Sequence, residues 1–303
     1  MMDKEIPENG VIYIATGKEL FLKEAKISAK SVRKYNKDIG ISIFVDEKNK
    51  FEDNENLFDS IHFVENPEFG FGDKIYAMIN TPYHKTIYLD CDTIVAGDIT
   101  EIFNMLDEYD VAASNPPFKN TNYKPDSFQA GIVFYKMSEV VKKFLNSWND
   151  NYDRINDGND QPSFRRMILQ LPISLFIFPP NYNFRSPFAS YVNGVVKIFH
   201  DHNLCRVNNT LREAFINFIN ESSKERYWFP NKGVLEFPRK IGRINKQISI
   251  LDRIITKSKF SPFKKLINYY IIKSFPWLIN WIIPKQYRKR MTTSYKKLLQ
   301  YSK

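Results

Sequence analysis

The residues whose types and spacing best suit chemistry are Asp90 and Asp92, two carboxylates one residue apart in KTIYLDCDTIV, residues 85–95. If the backbone turns after Asp90, both can share a hard divalent cation. The bare pattern is weak. With 18 Asp among 303 residues, chance placement supplies roughly one D-x-D. Context gives it weight: it is the only D-x-D in the chain, and it ends residues 86–89, a run that reads as a buried strand. In open α/β sheets ligands gather outside the carboxyl ends of strands, so a carboxylate delivered there faces a crevice. The plainer reading is a pair that caps the next helix or binds turn amides.

Other residues gain meaning only beside this pair. VVKIF, residues 195–199, reads as a strand leading into His200, Asp201 and His202, and an imidazole with two carboxylates is a reasonable set for Mn²⁺. Taken alone, a strand-end histidine is a surface residue. Lys74 opens a helix in GDKIYAMIN; there it can reach a phosphate, although the default is a solvated charge. Asp160 precedes a proline-started helix, residues 162–170, and is most simply its N-cap. Ala15 and Thr16 end the opening strand at a turn that has neither a G-x-G-x-x-G nor a P-loop pattern. Packing at a strand end is their plain reading.

The elements that must position these groups follow in order. Residues 11–16 form a strand, 18–35 a helix with Leu22, Ala25, Ala29 and Val32 at helical spacing, and 40–46 a second buried strand. This strand, helix, strand start is Rossmann-like and parallel. A short strand at 61–64, a helix carrying Lys74, and a short helix after Gly97 come next. Residues 109–114 read as a strand, 115–125 as a pocket-shaping loop with three prolines, and 128–137 as a strand with Gly131 where a ligand approaches closely. Ser138 caps a helix to Tyr152 whose buried stripe is Val140, Val141, Phe144, Leu145 and Trp148. A strand at 173–178 leads into PPNYNFR.

The length suffices for one main domain plus an appendage, and 43% hydrophobic content is globular. Only Cys91 and Cys205 occur, which fits a reducing compartment. The first ten residues lack the apolar core of a signal peptide. The net charge of +10 is unevenly placed: residues 239–303 hold 17 Lys or Arg against Asp252, +16, leaving 27 − 33, or −6, for the first 238. We therefore expect a main domain over 1–238 and a basic amphipathic helical tail over 239–303. The tail interleaves Tyr269, Tyr270, Trp277 and Trp281 with its cations, as suits an anionic membrane surface on the cytoplasmic side. Residues 266–283 are a poor span, interrupted by Lys273, Pro276 and Asn280. Nucleic acid is not expected, because the main domain is mildly acidic.

Taken together, the ordered motifs resemble the metal-dependent GT-A glycosyltransferases, in particular family 8, the glycogenin-like and bacterial galactosyltransferase-like enzymes. They are IYIATG, GDKIYAM, YHKTIYLDCDTIVAGDITEIF, FQAGIVFY, NDQPSF, PPNYNFR and IFHDH, spanning about residues 10 to 205. The resemblance implies an α/β GT-A fold, Rossmann-like, with a mostly parallel central sheet flanked by helices. It implies a nucleotide-diphosphate sugar donor, UDP-sugar favoured, and a glycan or lipid-linked acceptor, with retention if family 8-like. Asp90, Asp92 and His200 would hold Mn²⁺ or Mg²⁺, with His202 the alternative to His200. Ala15, Thr16, Lys74, Asp90, Cys91 and Asp92 would contact the donor, and Gln129 and Asp160 would line the donor sugar and acceptor as catalytic groups. Two departures stand out. HDHNLCR replaces the family's H-x-x-G-x-K-P-W, removing its diphosphate lysine, and Gln129 stands where the family has Asn.

Three rivals remain. DCDTI also matches the start of a haloacid-dehalogenase-type phosphatase, but about 75 residues of strand and helix precede it and no paired acidic motif follows. A nucleotidyltransferase of similar fold would carry a glycine-rich basic loop after the first strand, which GKELFLKEA does not supply. A catalytically inactive GT-A-like membrane-associated binding protein would keep the tail and lose the chemistry.

Overall fold

The protein is described by a computed structural model that covers residues 7–115, 128–152, 159–221, 224–230 and 233–236. Most of the proline-containing loop expected at 115–125, and the whole basic tail over 239–303, lie outside the described residues. The chain opens with β1 (Asn9–Ala15), α1 (Glu19–Tyr35), β2 (Gly40–Val45), β3 (Ser60–Phe63), α2 (Phe71–Ile79) and β4 (Lys85–Leu89). It continues through β5 (Thr93–Val95), α3 (Glu101–Met105), β6 (Val111–Ser114), β7 (Gln129–Lys136), α4 (Glu139–Asn151), α5 (Gln161–Gln170) and β8 (Leu175–Phe178). The last elements are β9 (Ser190–Val192), β10 (Ile198–His200), α6 (His202–Arg206), α7 (Asn209–Asn220), β11 (Arg226–Phe229) and β12 (Gly233–Glu236).

The described residues divide into two compact units, the first drawn from residues up to 185 with 196–207, the second from 186–195 with those after 207. In the first unit a seven-stranded sheet runs in the order β3-β2-β1-β4-β7-β6-β8. β1 is parallel to both β2 and β4, and β6 to β8, while β7 is antiparallel to both of its neighbours. This mostly parallel sheet flanked by helices is the arrangement that the GT-A resemblance implies. In the second unit β9, β11 and β12 form an antiparallel sheet, and the Trp228 indole N–H donates to the Ser186 carbonyl at 2.8 Å.

Alternation along the strands builds two cores, one on each face of the large sheet. Val11, Tyr13 and Ala15 of β1 pack with Leu22, Ala25, Ala29 and Val32 of α1. Ile12 packs instead with Ile75 and Met78 of α2 and with Phe144, Leu145 and Trp148 of α4. A strand buried on both faces reads as a continuous apolar run, which is why β1 and β2 are legible in the sequence. Ser138 caps α4 by accepting the Val141 N–H. Val140 is only partly buried and flanks the stripe rather than belonging to it.

Several boundaries differ from expectation, and two of the differences bear on the site. The strand expected at 195–199 is residues 198–200, because its antiparallel partner β5 is itself only three residues long. β5 is the element that sequence reading merges into the D-x-D stretch. It begins directly after Asp92, so the chain turns over residues 90–92 between two strands.

Candidate active site

The first unit brings the chemical groups together through that turn. Asp90 follows the last residue of β4 and Asp92 precedes β5, while β10 returns beside β5 with His200 opposite Thr93. The Asp201 N–H donates to the Asp92 carbonyl at 2.9 Å and ties the two segments. One oxygen from each of Asp90 and Asp92 and one ring nitrogen of His200 thereby lie within 4.8 Å of one another. His200 Nε2 is 3.3 Å from Asp92 Oδ1 and 3.6 Å from Asp90 Oδ2.

Asn183 sets the orientation of His200. Its amide nitrogen donates to Ser114 Oγ at 2.7 Å and to Gln129 Oε1 at 2.9 Å, and its oxygen is 3.0 Å from His200 Nδ1. Nδ1–H therefore donates to Asn183, which aims Nε2 at the two carboxylates; in the neutral tautomer that nitrogen presents a lone pair. In that tautomer three acceptors converge on one point, which a bound cation would satisfy; with Nε2 protonated, the ring itself would pair with Asp92. Around this point Asp90, Asp92 and Asp160 outnumber the single Lys74 cation, which leaves a place for a bound cation. The donor set fits Mn²⁺ or Mg²⁺. Gly131 keeps the cluster close, since a Cβ there would lie 2.5 Å from His200 Cε1 and 2.6 Å from Asp90 Oδ2.

Lys74 is no solvated charge. It is buried, with Nζ 2.8 Å from Asp160 Oδ2, 3.3 Å from Asp90 Oδ1 and 3.2 Å from the Ala130 carbonyl. Burial pushes its ammonium pKa down, but Asp160 and Asp90 outweigh that and hold it above the ordinary lysine value. Asp160 does occupy the N-cap position of α5, its carbonyl accepting the Phe164 N–H, but its carboxylate bonds Lys74 and makes no side-chain cap. Burial raises the Asp92 carboxyl pKa, yet the His200 and His202 rings, when they carry a proton on Nε2, together hold it well below the usual range. Burial, then Asp90, pushes the Tyr88 phenol up, so its hydroxyl donates to Asp90 Oδ1 at 2.7 Å. Burial likewise raises the Cys91 thiol, which donates to the Ile14 carbonyl and is no nucleophile.

His202 occupies a distinct place. Its Nε2 is 3.5 Å from Asp92 Oδ2, and its Nδ1 is 3.0 Å from Glu24 Oε2. Glu24 is buried on α1 and also meets Arg206 Nε at 3.2 Å. Glu24 and Asn183 are the site residues that sequence reasoning missed. Glu24 left a signal, a carboxylate between Leu22 and Ala25 on an apolar helix face. Asn183 lay inside PPNYNFR, with nothing to single it out.

A cavity of about 360 Å³ opens on this cluster. Lys74, Asp90, Cys91, Asp92 and His202 line it together with Thr16. Ala15 does not: successive strand residues face opposite sides, so it is buried in the core between Ile14 and Thr16. Thr16 donates to Asp73 Oδ2 at 2.6 Å. Gln129 and Asp160 are buried behind the lining, the first against Asn183 and the second against Lys74.

No protein-family model and no curated protein matches the chain. Among solved structures it is similar to the glycosyltransferase GlyE of Streptococcus pneumoniae TIGR4, with 18% identity over 59% of this chain, 48% of that one and a TM-score of 0.46. It is also similar to mouse xyloside xylosyltransferase 1, with 13% identity over 66% of this chain, 100% of that one and a TM-score of 0.46. A third likeness is to the galactosyltransferase LgtC in complex with donor and acceptor sugar analogs, at 15% identity over 58% of this chain, 75% of that one and a TM-score of 0.39. The chain spans about half the length of GlyE. Overlaps this partial leave any assignment of activity to the site's own residues.

Proposed function

We propose that the protein transfers a sugar from a nucleotide-diphosphate sugar, most simply a UDP-sugar, to a glycan or lipid-linked acceptor. The observation that carries this reading is the convergence of Asp90, Asp92 and His200 Nε2 on one point, with Asp90, Asp92 and the buried Lys74 lining the adjoining cavity. Asp90, Asp92 and His200 would hold a divalent cation, Mn²⁺ or Mg²⁺. Such a cation, when bound, stabilises the charge that grows on a departing diphosphate. Lys74 adds a fixed positive charge in a dry setting, where electrostatic stabilisation is strong. Asp160 keeps that ammonium charged and oriented. Because its carboxylate is buried against Lys74 behind the lining, Asp160 acts through that ammonium rather than as a base on the acceptor, and a transfer without such a base is read as retaining. Asn183 and Gln129 fix the His200 tautomer, and His202 on Glu24 borders Asp92 as a further donor.

The basic segment 239–303 would hold the chain at the cytoplasmic face of an anionic membrane. Among the described residues, no helix is long and apolar enough to cross one. Removing residues after 236 is expected to abolish binding to phosphatidylserine vesicles; unchanged binding counts against this role.

Donor binding and hydrolysis across UDP-, GDP- and dTDP-sugars, each with Mn²⁺, test the main reading. Metal-dependent binding and turnover of one donor, lost in Asp92→Ala with the fold intact, is the expected result. If no donor binds with any metal, the transferase reading fails and an inactive scaffold or a different nucleotide chemistry takes its place.

A further inference from the structure

The polar cluster leaves the aromatic part of the cavity lining without a role. Phe21, Phe69 and Phe71 share that lining with the charged residues. Phe69 stands out, because its backbone lies in the left-handed region at φ 56°, which a bulky side chain adopts only against strain. Its side chain gains little from the protein in return, being 64% exposed. Even so, the conformation is held firmly. Buried Asp73 accepts the Glu68 N–H on Oδ1 at 2.7 Å, and the Phe69 N–H on Oδ2 at 3.0 Å. The same Oδ2 takes the Thr16 hydroxyl at 2.6 Å, which joins the loop to the end of β1. Gly17, at φ 78°, makes room for the ring: a Cβ there would sit 3.0 Å from Phe69 Cδ1.

A buried carboxylate thus holds a strained residue so that an exposed ring stands over the carboxyl end of β1, in the cavity that contains Asp90, Asp92 and Lys74. With a divalent cation on Asp90 and Asp92, a ligand suited to all of these groups has an anionic part and a planar aromatic part. We infer that Phe69 is the platform on which the base of the donor nucleotide stacks, with Phe71 and Phe21 completing the apolar wall. The inference rests on the proposed nucleotide-sugar reading and adds a residue that binds the base. Stacking on an aromatic face tolerates any base, so Phe69 contributes affinity and leaves the choice among bases to other groups.

The test is titration of UDP, GDP, dTDP and pyrophosphate, each with Mn²⁺, into the wild type, Phe69→Gly and Phe69→Tyr, together with thermal midpoints. Phe69→Gly is expected to weaken the nucleotide that binds by about tenfold, to leave pyrophosphate unchanged, and to keep or raise the midpoint, since glycine accepts the backbone without strain. Phe69→Tyr should bind as the wild type does. Unchanged nucleotide affinity in Phe69→Gly overturns the platform, as does an equal loss for pyrophosphate, or a fallen midpoint without a selective loss of nucleotide. A wild type that binds pyrophosphate with Mn²⁺ but no nucleotide overturns it as well. A wild type that binds none of the four removes the proposed function itself.

Discussion

Asp90, Asp92 and Lys74 reach the cavity from the ends of regular elements, with His200 behind them, whereas Phe69 reaches it from a loop with a strained backbone. In the polar cluster each group is held by another: Asp160 and Asp90 hold Lys74, Asn183 holds His200, and Tyr88 holds Asp90. The aromatic loop holds its backbone through Asp73 and leaves its ring to solvent. A buried charge must be compensated before any ligand arrives, because an unpaired one destabilises the fold. An apolar ring at a cavity mouth needs only to be kept in position. The polar cluster should therefore couple binding to stability, and the aromatic loop should separate them.

The largest expected effect lies in the polar cluster. Asp92→Ala should lower Mn²⁺-dependent turnover by at least about a thousandfold, with the far-ultraviolet circular dichroism unchanged; turnover within tenfold of the wild type would remove Asp92 from the metal site. Lys74→Met comes next. It leaves Asp160 buried without its cation and should destabilise the fold by about 3–5 kcal/mol in urea. Retained stability would show that the pair is not integral to the fold.

The same pair makes a pH prediction. Burial lowers the folded Lys74 pKa, but Asp160 and Asp90 raise it by more. Its stabilisation is therefore fully present below the unfolded lysine value, about 10.4, and is lost as pH rises toward the folded value. On account of this group, urea midpoints should stay level between about pH 7 and 9 and fall above about pH 10.5; the fall should be smaller in Lys74→Met. Asn183→Ala, which strands His200 Nδ1–H, is expected to cost about 1–3 kcal/mol and to weaken Mn²⁺ binding by roughly 10- to 100-fold. Calorimetric titration reads the second effect, and unaltered Mn²⁺ affinity would free His200 from Asn183. The smallest effect belongs to the aromatic loop. Gly17→Ala meets Phe69 at a positive φ and should cost about 1 kcal/mol, with nucleotide affinity reduced and Mn²⁺ affinity unchanged. A loss of Mn²⁺ binding there would show that the two regions are coupled.

The parallel start of the fold was legible because β1 and β2 are buried on both faces and α1 carries its apolar residues at helical spacing. The pairing of Asp90 with Asp92 was legible as a candidate because it ended such a strand. β10 was legible as a strand but not in its length, which β5 limits. Asp160 illustrates the opposite case, since a residue before a proline-started helix reads as a side-chain cap until Lys74, 86 positions away in the chain, is seen to bind it.

By itself, the sequence determined which segments alternate or repeat at helical spacing, where acidic and basic residues concentrate, and that one D-x-D ends a buried strand. Only the tertiary structure decided that His200 and Lys74 meet that pair, that Glu24 and Asn183 each hold a histidine, and that Phe69 stands over Gly17. Periodicity arises from contacts with the sheet as a whole and is written locally along the chain. Charge pairing and close ring contacts depend on single atoms brought together from distant positions, and no local pattern records them.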